Sequence, residues 1–161
     1  MTEMTEEGLS VARHIFNWMQ VQYGWASFEL LREGSPPYRA TVSDSTDVFR
    51  VLLEGARLVL DTGARQEFSF DNEPGEIRWT LEPHGDSLNL RVAMHSEWGR
   101  GLGEERWAAE EIDPRVFASD VLSSTVELIS GLGVEGFRRS WPSYPYPVAE
   151  VEALKEILGT S

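Results

Sequence analysis

Three histidines, His14, His84 and His95, are the chain's only imidazoles, and they are spread too widely to suggest the order of a catalytic triad. There is no cysteine, which removes thiolate catalysis, cysteine zinc sites and disulfides. Neither a GxSxG elbow nor a P-loop spacing occurs. Gly99-Arg100-Gly101-Leu102-Gly103 is rich enough in glycine to cradle a phosphate. It falls between two expected antiparallel strands, however, and lacks the lysine of a nucleotide loop, so it reads as a long hairpin tip. Hard cations take oxygen ligands, and His95, Glu97 and Glu104 at that tip, or Asp71, Glu73 and Glu76 at another turn, supply the atoms. Neither set has EF-hand or HExxH spacing, and acidic turns are ordinary in a chain with 27 acidic residues. No catalytic residue, metal or cofactor is expected.

What remains is binding. Trp98 lies in the glycine-rich tip, where little can cover it, and an exposed aromatic on such a tip suits a contact hot spot. Around it stand His95, Glu97, Glu104 and Glu105, whose carboxylates would steer a cationic partner. Arg100 runs against that charge and needs a carboxylate of its own. A second candidate is a row of arginines, Arg78, Arg91 and Arg106, on the wet side of the sheet described next. If Arg78 faces Arg91 directly, the pair needs an anion or a neighbouring carboxylate such as Glu110, which lies near Asn89. The two outcomes are an anion site and a cross-strand ladder of ion pairs.

These residues are positioned by a meander. Phe68 and Phe70; Ile77, Trp79 and Leu81; and Leu88, Leu90, Val92 and Met94 alternate with polar neighbours, as strands with one buried face must. Asn72-Glu73-Pro74-Gly75 and Pro83-His84-Gly85-Asp86 are turn chemistry. Setting Asp71 opposite Glu76 brings Phe70 to Ile77 and Phe68 to Trp79. Setting Pro83 opposite Asp86 brings Leu81 to Leu88, Trp79 to Leu90 and Ile77 to Val92. A fourth strand, Glu104 to Ile112, turns Trp107 and Ala109 inward.

The flanks read as covering. Leu9, Ala12, Ile15, Phe16, Met19 and Tyr23 recur at helical spacing, which predicts a helix over residues 5–23. Strands follow at Trp25–Leu31 and around Tyr38, Ala40 and Val42, paired with each other. Val48 to Leu60 carries the strongest apolar stripe in the chain, behind a cluster of capping residues (Ser43 to Asp47) and ahead of Gly63. Gly55 in its middle costs about 1 kcal/mol against alanine, which close approach to another backbone would explain. Asp113-Pro114 starts a helix whose stripe runs to Gly131, followed by a short turn with Val134, Phe137 and Trp141. The prolines of Trp141–Pro147 impose an extended segment, and a last helix ends at Gly159. The fold expected is α+β: an antiparallel meander of four or more strands with helices packed on one face, as a single domain over residues 1–161.

Composition narrows the function. A formal net charge of −13 repels phosphate backbones, which argues against nucleic acid and for a basic protein partner. The acidic start MTEMTEEGL shows no signal peptide, and no apolar run approaches the roughly eighteen residues of a membrane span. A cytoplasmic protein is expected.

The segments Phe49–Leu60 (FRVLLEGARLVL), Glu76–Met94, and Glu111-Ile112-Asp113-Pro114 with Phe117 resemble the small bacterial immunity proteins that neutralise polymorphic toxins, and families related to them. The resemblance covers roughly 48–129 and leaves out Trp141–Pro147 and the last helix. It implies a non-enzymatic binder of a basic toxin domain, with no site residue to transfer. The other reading is a small-molecule-binding protein or enzyme with its site where helices cross the sheet.

Overall fold

The structure is a computed structural model and describes residues 13–97 and 103–159. The fold is α+β. Strands β1 (Phe16–Gln22), β2 (Trp25–Leu30) and β3 (Tyr38–Ser43) form one antiparallel sheet in sequence order. After helix α1 (Val48–Thr62), strands β4 (Gln66–Asp71), β5 (Glu76–His84), β6 (Ser87–His95) and β7 (Glu104–Ile112) form a second antiparallel meander. Helices α2 (Pro114–Ser140) and α3 (Val148–Leu158) complete the chain.

The parity of the meander is as the alternation requires. Phe70, Ile77, Trp79, Leu81, Leu88, Leu90 and Val92 are buried, and Trp107 with them. Trp79 stands at the centre, its ring 5.4 Å from Phe28, 5.5 Å from Phe70, 5.9 Å from Phe68 and 6.0 Å from Phe16. The inner residues of β1 and β2 thus share the meander's core. Phe49 of α1 joins it through Trp18, and reaches Phe137 and Trp141 at the end of α2. One continuous core includes residues of every helix and every strand.

The first helix expected from the sequence is corrected over its described part. Phe16–Gln22 is a strand, and residues 5–12 lie outside the described residues. The cause is a bulge between Trp18 and Gln20 in the pairing of β1 with β2. It turns Phe16, Trp18 and Val21 to the core, and the extra residue breaks the period of two that would have identified a strand. Tyr23-Gly24, with φ of 56° and 78°, is the hairpin turn and not a helix end.

The β4–β5 register is the expected one, with Asp71 opposite Glu76 and Phe68 opposite Trp79. The β5–β6 register differs by two residues: Leu81 meets Leu90, Trp79 meets Val92 and Ile77 meets Met94. Gly85-Asp86 makes a two-residue turn between His84 and Ser87, with Gly85 supplying φ of 63°, and the strands extend accordingly. A shift of two leaves every side chain on its own face.

Helix α1 ends on Gly63 in the left-handed conformation, as expected. Asp47 holds the N-cap position without a capping bond and pairs with Arg50 instead. Gly55 is explained by a side chain, not a backbone: a Cβ there would stand 2.7 Å from the Phe68 ring. Asp113 caps α2 by accepting the Arg115 N–H at 2.9 Å. That helix does not stop at Gly131 but runs to Ser140, with a break at Gly133, whose φ is 76°.

Candidate functional site

The residues expected at the hairpin tip part company. Trp98 lies outside the described residues. His95 is buried, opposite Glu76 in the β5–β6 pairing, and packs so closely on Gly103 that a Cβ there would strike its ring. It supports the hairpin and is not available as a surface contact. Glu97, Glu104 and Glu105 are exposed. Glu105 pairs with Arg91 at 3.1 Å and Glu104 with Arg106 at 3.2 Å, so both carboxylates already face a cation.

The arginine row is corrected by the same register shift. Arg78 stands opposite Ala93 and Arg91 opposite Thr80, so the two guanidinium groups do not confront each other. Arg78 pairs with the buried Glu76 at 3.0 Å. Each of Arg78, Arg91 and Arg106 has a glutamate partner, across neighbouring strands for Arg91 and Glu105 and along one strand for the other two pairs. Glu110 takes no part in these pairs; Asn89 instead accepts the Glu111 N–H at 3.1 Å. At the other acidic turn, Asp71 accepts from the Ser45 hydroxyl and from the Glu73 N–H. Among the described residues no three acidic or histidine side chains gather as a metal would require.

A different place has the makings of a site. A cleft of about 330 Å³ opens where β1 begins, β2 runs into its loop, β7 ends and α2 starts. Its apolar lining is Ile15, Leu31, Ala109, Ile112 and Val116. Its polar lining is His14, Arg32, Glu33, Glu110 and Asp113. The end of β7 is shaped for this. Between the pairs Leu90–Ala109 and Leu88–Ile112, β7 carries one residue more than β6, a bulge that occupies Glu110-Glu111. Glu111 takes φ of 58°, costly for a residue with a Cβ, while Glu110 lines the cleft.

The charges around the cleft are unequally satisfied. The Arg32 guanidinium bonds the Ala108 carbonyl and the Ser35 hydroxyl. Arg115 next to the cap reaches the Leu158 carbonyl. Asp113 serves the helix start. Among the described residues Glu33, Glu110 and Glu111 make no ion pair, in contrast to the paired glutamates of the wet face.

Behind the cleft wall lies Asp120 of α2, 5% exposed. One of its oxygens accepts three backbone N–H groups at the entry to β1: His14 at 3.1 Å, Ile15 at 2.8 Å and Phe16 at 3.2 Å. Burial pushes its carboxyl above the usual range, against the opposite pull of those three bonds and of His14. It is a clamp that fixes the entry to β1, where His14 and Ile15 line the cleft.

A second hollow, of about 290 Å³, lies at the far end of β1 on the outer face of the three-stranded sheet. Gln20, Gln22, Tyr23, Trp25, Ser27 and Thr41 line it, and Tyr23 is 84% exposed. None of these residues is charged. The sequence concealed this hollow by placing Tyr23 on a helical stripe. Compared with family models, with curated proteins and with solved structures, the chain finds no match in any of the three.

Proposed function

We propose that this protein is a non-enzymatic interaction domain for a basic protein, of the kind an immunity-type inhibitor of a basic toxin would be. The observation that carries the reading is the distribution of an acidic excess. The chain bears a net charge of −13, yet the carboxylates on the sheet's wet face are matched by arginines. The unmatched ones include Glu33 and Glu110, which line a cleft whose other walls are partly apolar. A potential of that sign speeds encounter with a cationic surface, and an apolar floor supplies contact once the two meet.

The test is capture of partners from the source cell by the full chain, followed by purification of each captured protein. The reading expects a basic protein whose association rate falls steeply as salt rises through the physiological range, where the screening length is about 8 Å. It also expects that co-expression with this chain relieves whatever toxicity that protein has. A captured set of neutral or acidic proteins, bound alike at low and high salt, would refute it.

The cleft also favours a second reading, a small-molecule site where a helix crosses the sheet ends, because its volume lies at the low end of ligand pockets, roughly 300–1,000 Å³. Metabolite screening by thermal shift separates the two: a stabilising metabolite supports the second, and a captured basic protein the first.

A further inference from the structure

We infer that the cleft at the start of α2 receives an arginine side chain presented by the basic partner. This rests on the reading of the protein as a binder of basic proteins, and it says which group is read and where.

Three features point to an arginine. The floor is aliphatic, from Ile15, Leu31, Ala109, Ile112 and Val116, and suits the methylene stem of a long cationic side chain. The polar lining is weighted to carboxylates, with Glu33, Glu110 and Asp113 against Arg32 and His14. The competing charges are already engaged: Arg32 by Ala108 and Ser35, Asp113 by the first turn of α2, and Asp120 by the entry to β1. Glu33 and Glu110 are what the cleft offers a newcomer. Glu110 lines it because the bulge at Glu110-Glu111 interrupts the pairing of β7. A guanidinium is more weakly hydrated than an ammonium and gives up its water more readily. Its planar fork of donors can also meet two carboxylates together.

The probe is a blocked pentapeptide, Gly-Leu-Arg-Leu-Gly, titrated into the uniformly ¹⁵N-labelled full chain, beside the same peptide with lysine or citrulline at its centre. Saturable shifts at Ile15, Ala109, Glu110 and Val116 are expected with arginine. Citrulline should bind about tenfold more weakly, the loss that one charge-assisted contact implies. The pair Glu33→Gln with Glu110→Gln, which keeps size and polarity, should weaken the arginine peptide about tenfold or more and leave the melting temperature unchanged. Equal binding of the lysine peptide would overturn the preference for a guanidinium. Shifts that do not saturate, or that centre on 103–105, would overturn the site.

The same double variant, tested against a basic partner captured as above, separates the two claims. If that partner binds the variant as it binds the original, the inference fails and the proposed function stands. If the peptide seats in the cleft but no basic protein is ever captured, the proposed function fails and the arginine site stands.

Discussion

Asp120→Ala tests the support beneath the cleft. The substitution removes a single oxygen that accepts from the N–H groups of His14, Ile15 and Phe16. The bonds to Ile15 and Phe16 are buried, and the one to His14 is partly so. A buried donor left without a partner costs about 1–3 kcal/mol, which gives roughly 2–6 kcal/mol for the two buried ones. Against this, alanine removes a carboxylate whose burial is itself costly, as the upward push on its pKa records. A net loss of about 2–4 kcal/mol is expected. Asp120→Asn keeps an acceptor oxygen and sheds the charge, so it should stay within about 1 kcal/mol of the original chain at neutral pH. The sign with pH follows from the raised pKa. Between the unfolded and folded values the native state holds a proton that the unfolded chain has lost, so stability falls as pH rises through that window. The asparagine variant lacks this term. Its standing relative to the original should be best at neutral pH and should decline as acid protonates Asp120. Urea denaturation followed by tryptophan fluorescence, repeated from neutral pH into the acid range, measures both effects. An unchanged midpoint for Asp120→Ala would refute the clamp. An asparagine variant whose relative stability improves on acidification would refute the direction of the shift.

Three further outcomes are expected from the same denaturation assay. Trp79→Ala should cost about 3–5 kcal/mol, because its fully buried ring is ringed by Phe16, Phe28, Phe68 and Phe70, and a near-normal midpoint would invert the parity of the meander. Gly55→Ala would gain about 1 kcal/mol of helix propensity, but its Cβ would press on Phe68, which is stacked on Phe70 and Trp79 and cannot easily yield. A net loss of about 1–2 kcal/mol is therefore expected, and a gain would show that the ring moves aside. Glu111→Gly relieves a left-handed residue at the bulge and should stabilise by up to about 1 kcal/mol, since glycine's greater freedom when unfolded offsets part of the relief; a lower midpoint would mean the glutamate has a partner that outweighs its strain.

The sequence revealed those features that depend on a short period and concealed those that depend on one extra residue. Phe68 to Met94 alternates without interruption, so the burial of Trp79 and Val92 could be read directly. A shift of two residues preserves that alternation, which is why the opposition of Arg78 and Arg91 looked real until the Gly85-Asp86 turn set the register. β1 was hidden by its bulge, because inward residues at 16, 18 and 21 suit neither period well. The caps at Asp113, Gly63 and Gly159 were legible because each is a local conformational requirement. The cleft was not, since it draws on three separated stretches of chain and on a bulge with no glycine to mark it. Asp120 was least visible of all: it sits on a helix and serves a strand 105 residues earlier.

The two ends of β1 show why charge alone would misplace the proposed interface. By sequence the acidic hairpin tip is the natural landing place for a cation, but Glu104 and Glu105 are paired with arginines. A partner's cation arriving there must displace a cation already present, so the exchange gains little. At the start of β1, Glu33 and Glu110 make no ion pair among the described residues, and apolar residues of the cleft adjoin them. At the other end, about 20 Å away for a strand of seven residues, Tyr23 and Trp25 border an uncharged hollow. Aromatic side chains there offer contact area but no steering, so a large basic partner that landed on the cleft would be held by charge at one end and by area at the other. Charge reversal of Glu33 and Glu110 should then slow association, whereas Tyr23→Ala should hasten dissociation with the association rate unchanged. Stopped-flow measurement of both rates tells them apart. A Tyr23→Ala variant that altered neither rate would confine the interface to the cleft.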